Sequence, residues 1–145
     1  MALVVPDHGA VDALRFYVNQ SQPQDLVLRL FVNDVAPAPG DAAGRFVEPQ
    51  GFGYAAVRLK GADWEVVDPP APAAGQPRTA PYARARQQAF TFTGPLGDVY
   101  GYYLTRAGSG RIAHAERFAA GPIRVVNNGD RIRITARIQF QTAKA

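Results

Sequence analysis

Arg131-Ile132-Arg133-Ile134-Thr135-Ala136-Arg137-Ile138-Gln139-Phe140 is the most regular stretch of the chain. Successive side chains of an extended strand point to opposite faces. Ile132, Ile134, Ala136, Ile138 and Phe140 therefore fall on one side, and Arg131, Arg133, Thr135, Arg137 and Gln139 on the other. A slip of one residue would expose all of the apolar side chains, so the pattern predicts a firmly registered strand with one face in a core.

Working back from that strand, Asn127-Asn128-Gly129-Asp130 reads as a turn rich in residues that tolerate the left-handed conformation. It follows a short strand-like run at 123–126. Residues 99–106 and 111–118 flank Ala107-Gly108-Ser109-Gly110, a hairpin signal. Arg86, Gln88, Phe90 and Phe92 alternate with Gln87, Ala89, Thr91 and Thr93 before the turn at 94–98. Upstream, Leu26-Val27-Leu28-Arg29-Leu30-Phe31-Val32 predicts a strand buried on most of both faces, closed by Asn33-Asp34. Residues 35–41 read as a loop, and strands are expected at 53–60 and 64–67, joined by Gly61-Ala62-Asp63. Near the start, Val11, Leu14 and Val18 stand at helical spacing with Asp7 available as an N-cap, which predicts one short helix.

Residues 68–81 contain Pro69, Pro70, Pro72, Pro77 and Pro81 together with Gly75. Proline has no backbone donor for a sheet ladder, so this is expected to be a long loop or arm. Neither side of it is long enough for an independent core, so residues 1–145 are read as a single domain. About eight strands, one short N-terminal helix and no alternation of strands with helices give an all-β class. The expected architecture is an antiparallel β-sandwich, with jelly-roll connectivity favoured over immunoglobulin-like. The Cys-Trp-Cys signature of true immunoglobulin domains cannot occur in a chain without cysteine.

The 145 residues are 47% hydrophobic and 19% charged, enough to bury a core and too apolar for wholesale disorder. The absence of cysteine removes disulfides, thiolate metal sites and cysteine nucleophiles. No apolar stretch approaches the ~20 residues of a membrane span, and the opening residues lack the basic region and apolar length of a signal peptide. Charge is unevenly placed. Residues 1–77 carry five basic and nine acidic side chains, and residues 78–145 eleven basic and three acidic. A basic half can meet nucleic acid, but also the acidic half of a second copy or an acidic partner; charge alone makes nucleic acid the lesser reading.

Catalytic constellations are hard to assemble from these residues. His114 and Glu116 would share a strand face, but spacing identifies no third ligand for a metal, and the ordinary reading of His114 is a surface or half-buried histidine near a carboxylate. Ser109 sits in a hairpin turn with no base placed beside it. The only glutamates are Glu48, Glu65 and Glu116, and most of the aspartates lie in turns, which explains them without a glycosidase pair. No glycine-rich phosphate loop precedes a helix. The sequence is therefore read as non-enzymatic, with no cofactor and no metal.

Three features are candidates for binding. Tyr100 and Tyr102 share a face of one predicted strand, which suits either cross-strand packing or the stacking of sugars and bases. Arg131, Arg133 and Arg137, with Arg124 close by in sequence, form a row able to dock carboxylates or phosphates. The loop bearing Pro69, Pro70, Pro72 and Pro77 is a candidate arm to a neighbouring subunit.

Several segments carry a resemblance. They are 25–34 followed by Pro37, Gly53-Tyr54-Ala55-Ala56 running to Trp64, Phe90-Thr91-Phe92, Val99-Tyr100-Gly101-Tyr102, Ala115-Glu116-Arg117-Phe118, and Asn127-Asn128-Gly129-Asp130-Arg131-Ile132. Over roughly residues 2–140 the chain resembles small β-rich virion structural proteins of tailed bacteriophages. The resemblance implies a capsid decoration (cement) protein, a small sandwich or jelly roll that binds across major capsid subunits. It further implies a homo-oligomer, expected as a trimer, on the virion surface after synthesis in the host cytoplasm. Acidic and basic halves suit a heterologous contact closed into a ring. The alternative is a tail, neck or fibre-associated adaptor with the tyrosine strand as a glycan contact. Further readings are a carbohydrate-binding module and a nucleic-acid binder working through the arginines.

Overall fold

In the computed structural model, which describes residues 4–77 and 80–140, the alternation of the 131–140 stretch holds through Ala136, and the stretch is two strands rather than one. β10 (Arg131–Ile134) pairs antiparallel with β5 (Gln88–Thr91), and β11 (Arg137–Ile138) with β4 (Tyr82–Ala85). The cause lies in the facing chain. Ile134 opposes Gln88 and Arg137 opposes Arg84, while the Ala85 amide donates to the Ala136 carbonyl. Arg86 and Gln87 thus stand opposite Thr135 alone, which is a β-bulge. The extra residue explains why Ala85 and Phe90 are both buried although they stand an odd number of positions, five, apart. It also turns Arg86 out of the face it was expected to share with Phe90. Its amide donates to the Asp63 carbonyl and its guanidinium pairs with the Asp63 carboxylate. Ile132, Ile134 and Ala136 are buried as their spacing requires, but Phe140 is exposed.

The described residues form eleven strands, all paired antiparallel, instead of about eight. Bulges and sheet changes cut long patterned runs into short ladders. β1 (Leu26–Phe31), β2 (Val57–Leu59), β7 (Gly101–Arg106) and β8 (Ile112–Arg117) make a four-stranded sheet in the order β2-β1-β7-β8. Val4 bridges to Ala115 on the β8 side. β3 (Trp64–Val67) and β11 flank β4 in a second sheet. β6 (Gly97–Val99) pairs with β9 (Ile123–Val125). Of the strand expected at 53–60 only Val57–Leu59 forms; Gly51, Phe52 and Gly53 have φ of 80°, 51° and 76°, which no strand accommodates.

The main core cluster takes Leu28 and Leu30 from β1, Tyr102 and Leu104 from β7, Phe90 from β5 and Ile132 and Ile134 from β10. Each such large side chain contributes about 1.5–3 kcal/mol on leaving water. The other face of the four-stranded sheet is covered too: Phe31, Tyr103, Ile112 and Ala115 pack with Phe46, the Phe46 ring stacking on Tyr103 at 5.1 Å. The expectation of burial on both faces at 26–32 is correct. The odd member, Arg29, is held by Glu48 at 3.0 and 3.1 Å.

α1 (Asp7–Tyr17) forms where a helix was expected, but Val11, Leu14 and Val18 are not its buried face. They are 40%, 65% and 59% exposed, and Tyr17 is 92% exposed. The buried residues are Gly9 and Asp12. A Cβ at Gly9 would run into the carbonyl of Ala113, the residue that bulges out of β8 between Ile112 and His114. This close approach sets the helix rotation. Asp7 is not the N-cap: Pro6 occupies that position and no side chain caps the helix.

Candidate interaction surfaces

Helix α1 is held by charge. Asp12, 2% exposed, accepts from Arg111 Nε at 3.1 Å and pairs with Arg106 Nη1 at 3.1 Å. Arg106 is itself buried, with its guanidinium 4.4 Å from the centre of the Phe16 ring. Burial alone would raise the Asp12 pKa, but the hydrogen bonds and charges of Arg111 and Arg106 outweigh it and hold the carboxyl below its ordinary value. With the inward face anchored in this way, Val11, Leu14, Tyr17 and Val18 are left as an outward apolar stripe. Three large apolar side chains turned to solvent on an 11-residue helix, with a fourth at its C-cap, are the inverse of an ordinary surface helix.

The arginine row is divided. Arg131 and Arg133 project from the exposed face of β10, with no ion-pair partner among the described residues. Arg137 is half-buried, its guanidinium 3.7 Å from the centre of the Tyr82 ring and 3.3 Å from Gln139 Oε1. Arg84, directly opposite Arg137, is paired with Glu65 at 2.9 Å. Arg124 belongs to another sheet and grips Asp98 through two bonds of 2.8 and 3.2 Å. That pairing lowers the Asp98 pKa and raises that of Arg124. Sequence proximity put Arg124 beside the row; pairing in a different sheet separates it.

The tyrosines do not form the exposed face their spacing suggested. Val99 and Tyr102 both enter the main core, so the alternation slips by one at Tyr100 and Gly101. Gly101 is required there because a Cβ would strike the Glu116 carbonyl and the Phe31 ring. Tyr102 is buried; its hydroxyl donates to Glu116 at 2.7 Å and accepts the Arg137 amide at 3.3 Å. Burial, followed by the Glu116 hydrogen bond, pushes its pKa far up. Tyr100 is half-buried against the other cluster, under the Arg117 guanidinium. Neither ring offers a free stacking face.

His114 is fully buried rather than at the surface. Its ring lies 6.1 Å from that of Tyr102, and neither nitrogen has a hydrogen-bond partner among the described residues. Burial pulls its pKa down to about 4, against an opposite and smaller influence of the Val4 backbone. Among the described residues no group of three or more histidines, aspartates or glutamates is arranged to hold a metal. Ser109 lies in the β7–β8 turn, its amide donating to Gln24 and its hydroxyl accepting from the Arg111 amide. The proline-rich residues 68–77, 80 and 81 belong to the connection between the antiparallel neighbours β3 and β4. There Pro69 is half-buried and Pro70, Pro72 and Pro77 are exposed. No helix is long and apolar enough to cross a membrane among the described residues.

The buried Asp12–Arg106–Arg111 cluster was missed by sequence reasoning. Its partners are about a hundred residues apart, and the only local signal was an aspartate between apolar positions of a helix. Compared with known proteins, the chain matches no family model, no curated protein and no solved structure.

Proposed function

We propose that this chain is a non-enzymatic virion structural protein, a capsid decoration (cement) subunit that binds across major capsid subunits and stabilises the shell. The observation that carries the reading is the outward apolar stripe of α1: Val11, Leu14, Tyr17 and Val18 are exposed while the inward face is fixed by a buried ion pair. Such a stripe costs solubility in a free monomer and suits a protein partner. Arg131 and Arg133 add a second surface for acidic groups of that partner. A decoration subunit holds by summing modest contacts, and an interface of ~800 Å² per partner is within reach of a chain this size.

The resemblance to small phage virion proteins supplies the capsid and the trimer. A sandwich of jelly-roll type is the finer architecture in this proposal. It is supported by the packing of β1 and β7 side chains against those of β5 and β10 in one cluster. The burial of Tyr102 weighs against a tyrosine glycan contact in the competing tail-adaptor reading.

The test is incorporation of variants into particles. Leu14→Ser/Val18→Ser and Arg131→Ser/Arg133→Ser should fold normally and be recovered in virions at reduced copy number. Wild-type recovery of both would sink the proposal.

A further inference from the structure

In an antiparallel ladder, opposing residues alternate between pairs that exchange both main-chain hydrogen bonds and pairs that exchange none. The Phe92 amide donates to the Asp130 carbonyl at 2.9 Å. Counting on from there, Ile132 with Phe90 and Ile134 with Gln88 are bonded pairs, and Arg131 and Arg133 turn their N–H and C=O groups away from β5. Past the bulge the phase is kept: Ala136 faces β4, where its carbonyl accepts from the Ala85 amide, so Thr135 also faces outward. The only ladder neighbour of β10 is β5. The outward main-chain groups of Arg131, Arg133 and Thr135 have no hydrogen-bond partner among the described residues. The next outward amide, that of Arg137, is taken by the Tyr102 hydroxyl at 3.3 Å. Residues 131–135 are thus an open sheet edge, sealed at one end.

Such an edge is a template for another strand, and proteins blunt theirs with proline, a bulge or charge. Residues 131–135 contain no proline, and the bulge lies on the facing chain at Arg86 and Gln87. Charge alone guards this edge, through the exposed side chains of Arg131 and Arg133. A charge guard is selective. Pairing of β10 with β10 of a second copy, centred on Ile132, would set Arg131 directly opposite Arg133, which like charges oppose. Nor does another strand of this chain supply free carboxylates in alternation: Asp63, just before β3, and Glu65, within it, already hold Arg86 and Arg84. The complement must come from a different protein. On an added antiparallel strand, the residues opposite Arg131 and Arg133 share their face at Cβ separations of about 4.5–5.5 Å. Carboxylates there would form charge-assisted bonds with the guanidinium groups. The residue between them falls on the side of Ile132 and Ile134, which are buried, and is therefore apolar.

We propose that the open edge of β10 receives an extended acidic segment of a partner protein as an additional antiparallel strand, with carboxylates at alternate positions against Arg131 and Arg133. Main-chain bonds to Arg131, Arg133 and Thr135 supply the attachment, and the two arginines choose the sequence. The proposal rests on the reading of Arg131 and Arg133 as a docking surface and specifies the form the partner takes there.

The experiment titrates the ¹⁵N-labelled full chain with a blocked hexapeptide of alternating glutamate and valine. In the free chain the amides of Arg131, Arg133 and Thr135 should exchange with solvent much faster than those of Ile132 and Ile134. The peptide is expected to shift the three outward amides saturably, with a Kd on the order of 1 mM or tighter. At ten times that Kd their exchange should slow about tenfold. Methylating the glutamate main-chain nitrogens keeps every charge but removes the donors of the new ladder, and should abolish binding without altering the protein. Arg131→Glu/Arg133→Glu should bind the peptide at least about tenfold more weakly and take up the lysine–valine counterpart, which wild type rejects. The proposal is overturned by slow exchange of the three amides in the free chain, by no saturable shift up to roughly 10 mM peptide, or by undiminished binding of the methylated peptide, which would mark a contact of charge only. None of these readouts involves particles, so failure here leaves the cement reading to be judged by virion incorporation, and failure there leaves the edge to be judged by the peptide.

Discussion

Acidification should weaken this protein in a window set by one residue. His114 is wholly inside, with no hydrogen-bond partner for either nitrogen among the described residues and its folded-state pKa drawn from 6.5 to about 4 by burial. Above pH 6.5 neither the folded nor the unfolded chain protonates it. Between 6.5 and 4 the unfolded chain takes up the proton and the folded chain does not, so stability falls as pH falls; below 4 the loss is complete. At 1.36 kcal/mol per pKa unit, the shift is worth about 3 kcal/mol, a large share of the 5–15 kcal/mol typical of a folded domain.

The carboxylates with lowered values, Asp12, Asp98 and Asp130, lose their contributions only below their ordinary value of 3.8, so they leave this window clear. Urea unfolding at pH 7.5, 6, 5 and 4.5 should therefore show a steep decline in wild type, and a markedly flatter one in His114→Leu. Equal decline in the two proteins would refute the reasoning, because the lost stability would then come from other groups.

Two further outcomes follow from the packing. Gly9→Ala drives a methyl group into the Ala113 carbonyl and should cost at least ~2 kcal/mol in a thermal or urea melt. Leu14→Ser, on the exposed side of the same helix, should stay within about 0.5 kcal/mol of wild type; the reverse order would mean the helix is rotated from the orientation described. Tyr102→Phe removes the hydroxyl shared by Glu116 and the Arg137 amide and should cost roughly 1–2 kcal/mol, with no change in far-ultraviolet circular dichroism.

What the sequence made legible was local periodicity. The alternation at 131–136 and at 88–93 places Ile132, Ile134, Phe90 and Phe92 inward as the structure does. The breaks in phase were not legible. Neither the bulge at Arg86 and Gln87 nor the bulge at Ala113 leaves a compositional mark, since each exists only relative to a partner strand. The slip at Tyr100 had the same effect and moved Tyr102 from a supposed binding face into the core.

For the helix, spacing located the element and failed on its orientation. A scale that prefers Leu14 inside cannot anticipate that Arg106 and Arg111, distant in sequence, will hold Asp12 there instead. Of the arginine row, Arg131 and Arg133 stand as spacing put them, whereas the environments of Arg137 and Arg124 depended on Tyr82 and Asp98, which only the folded chain brings near.

The central claim is that this chain is a shell component, and its copy number in purified virions, measured by quantitative mass spectrometry against the major capsid protein, tests it most directly. A cement protein is predicted to be present in the same order of abundance as the capsid protein itself. A few copies per particle would assign the chain to the tail or neck, and its absence from particles would contradict the account altogether.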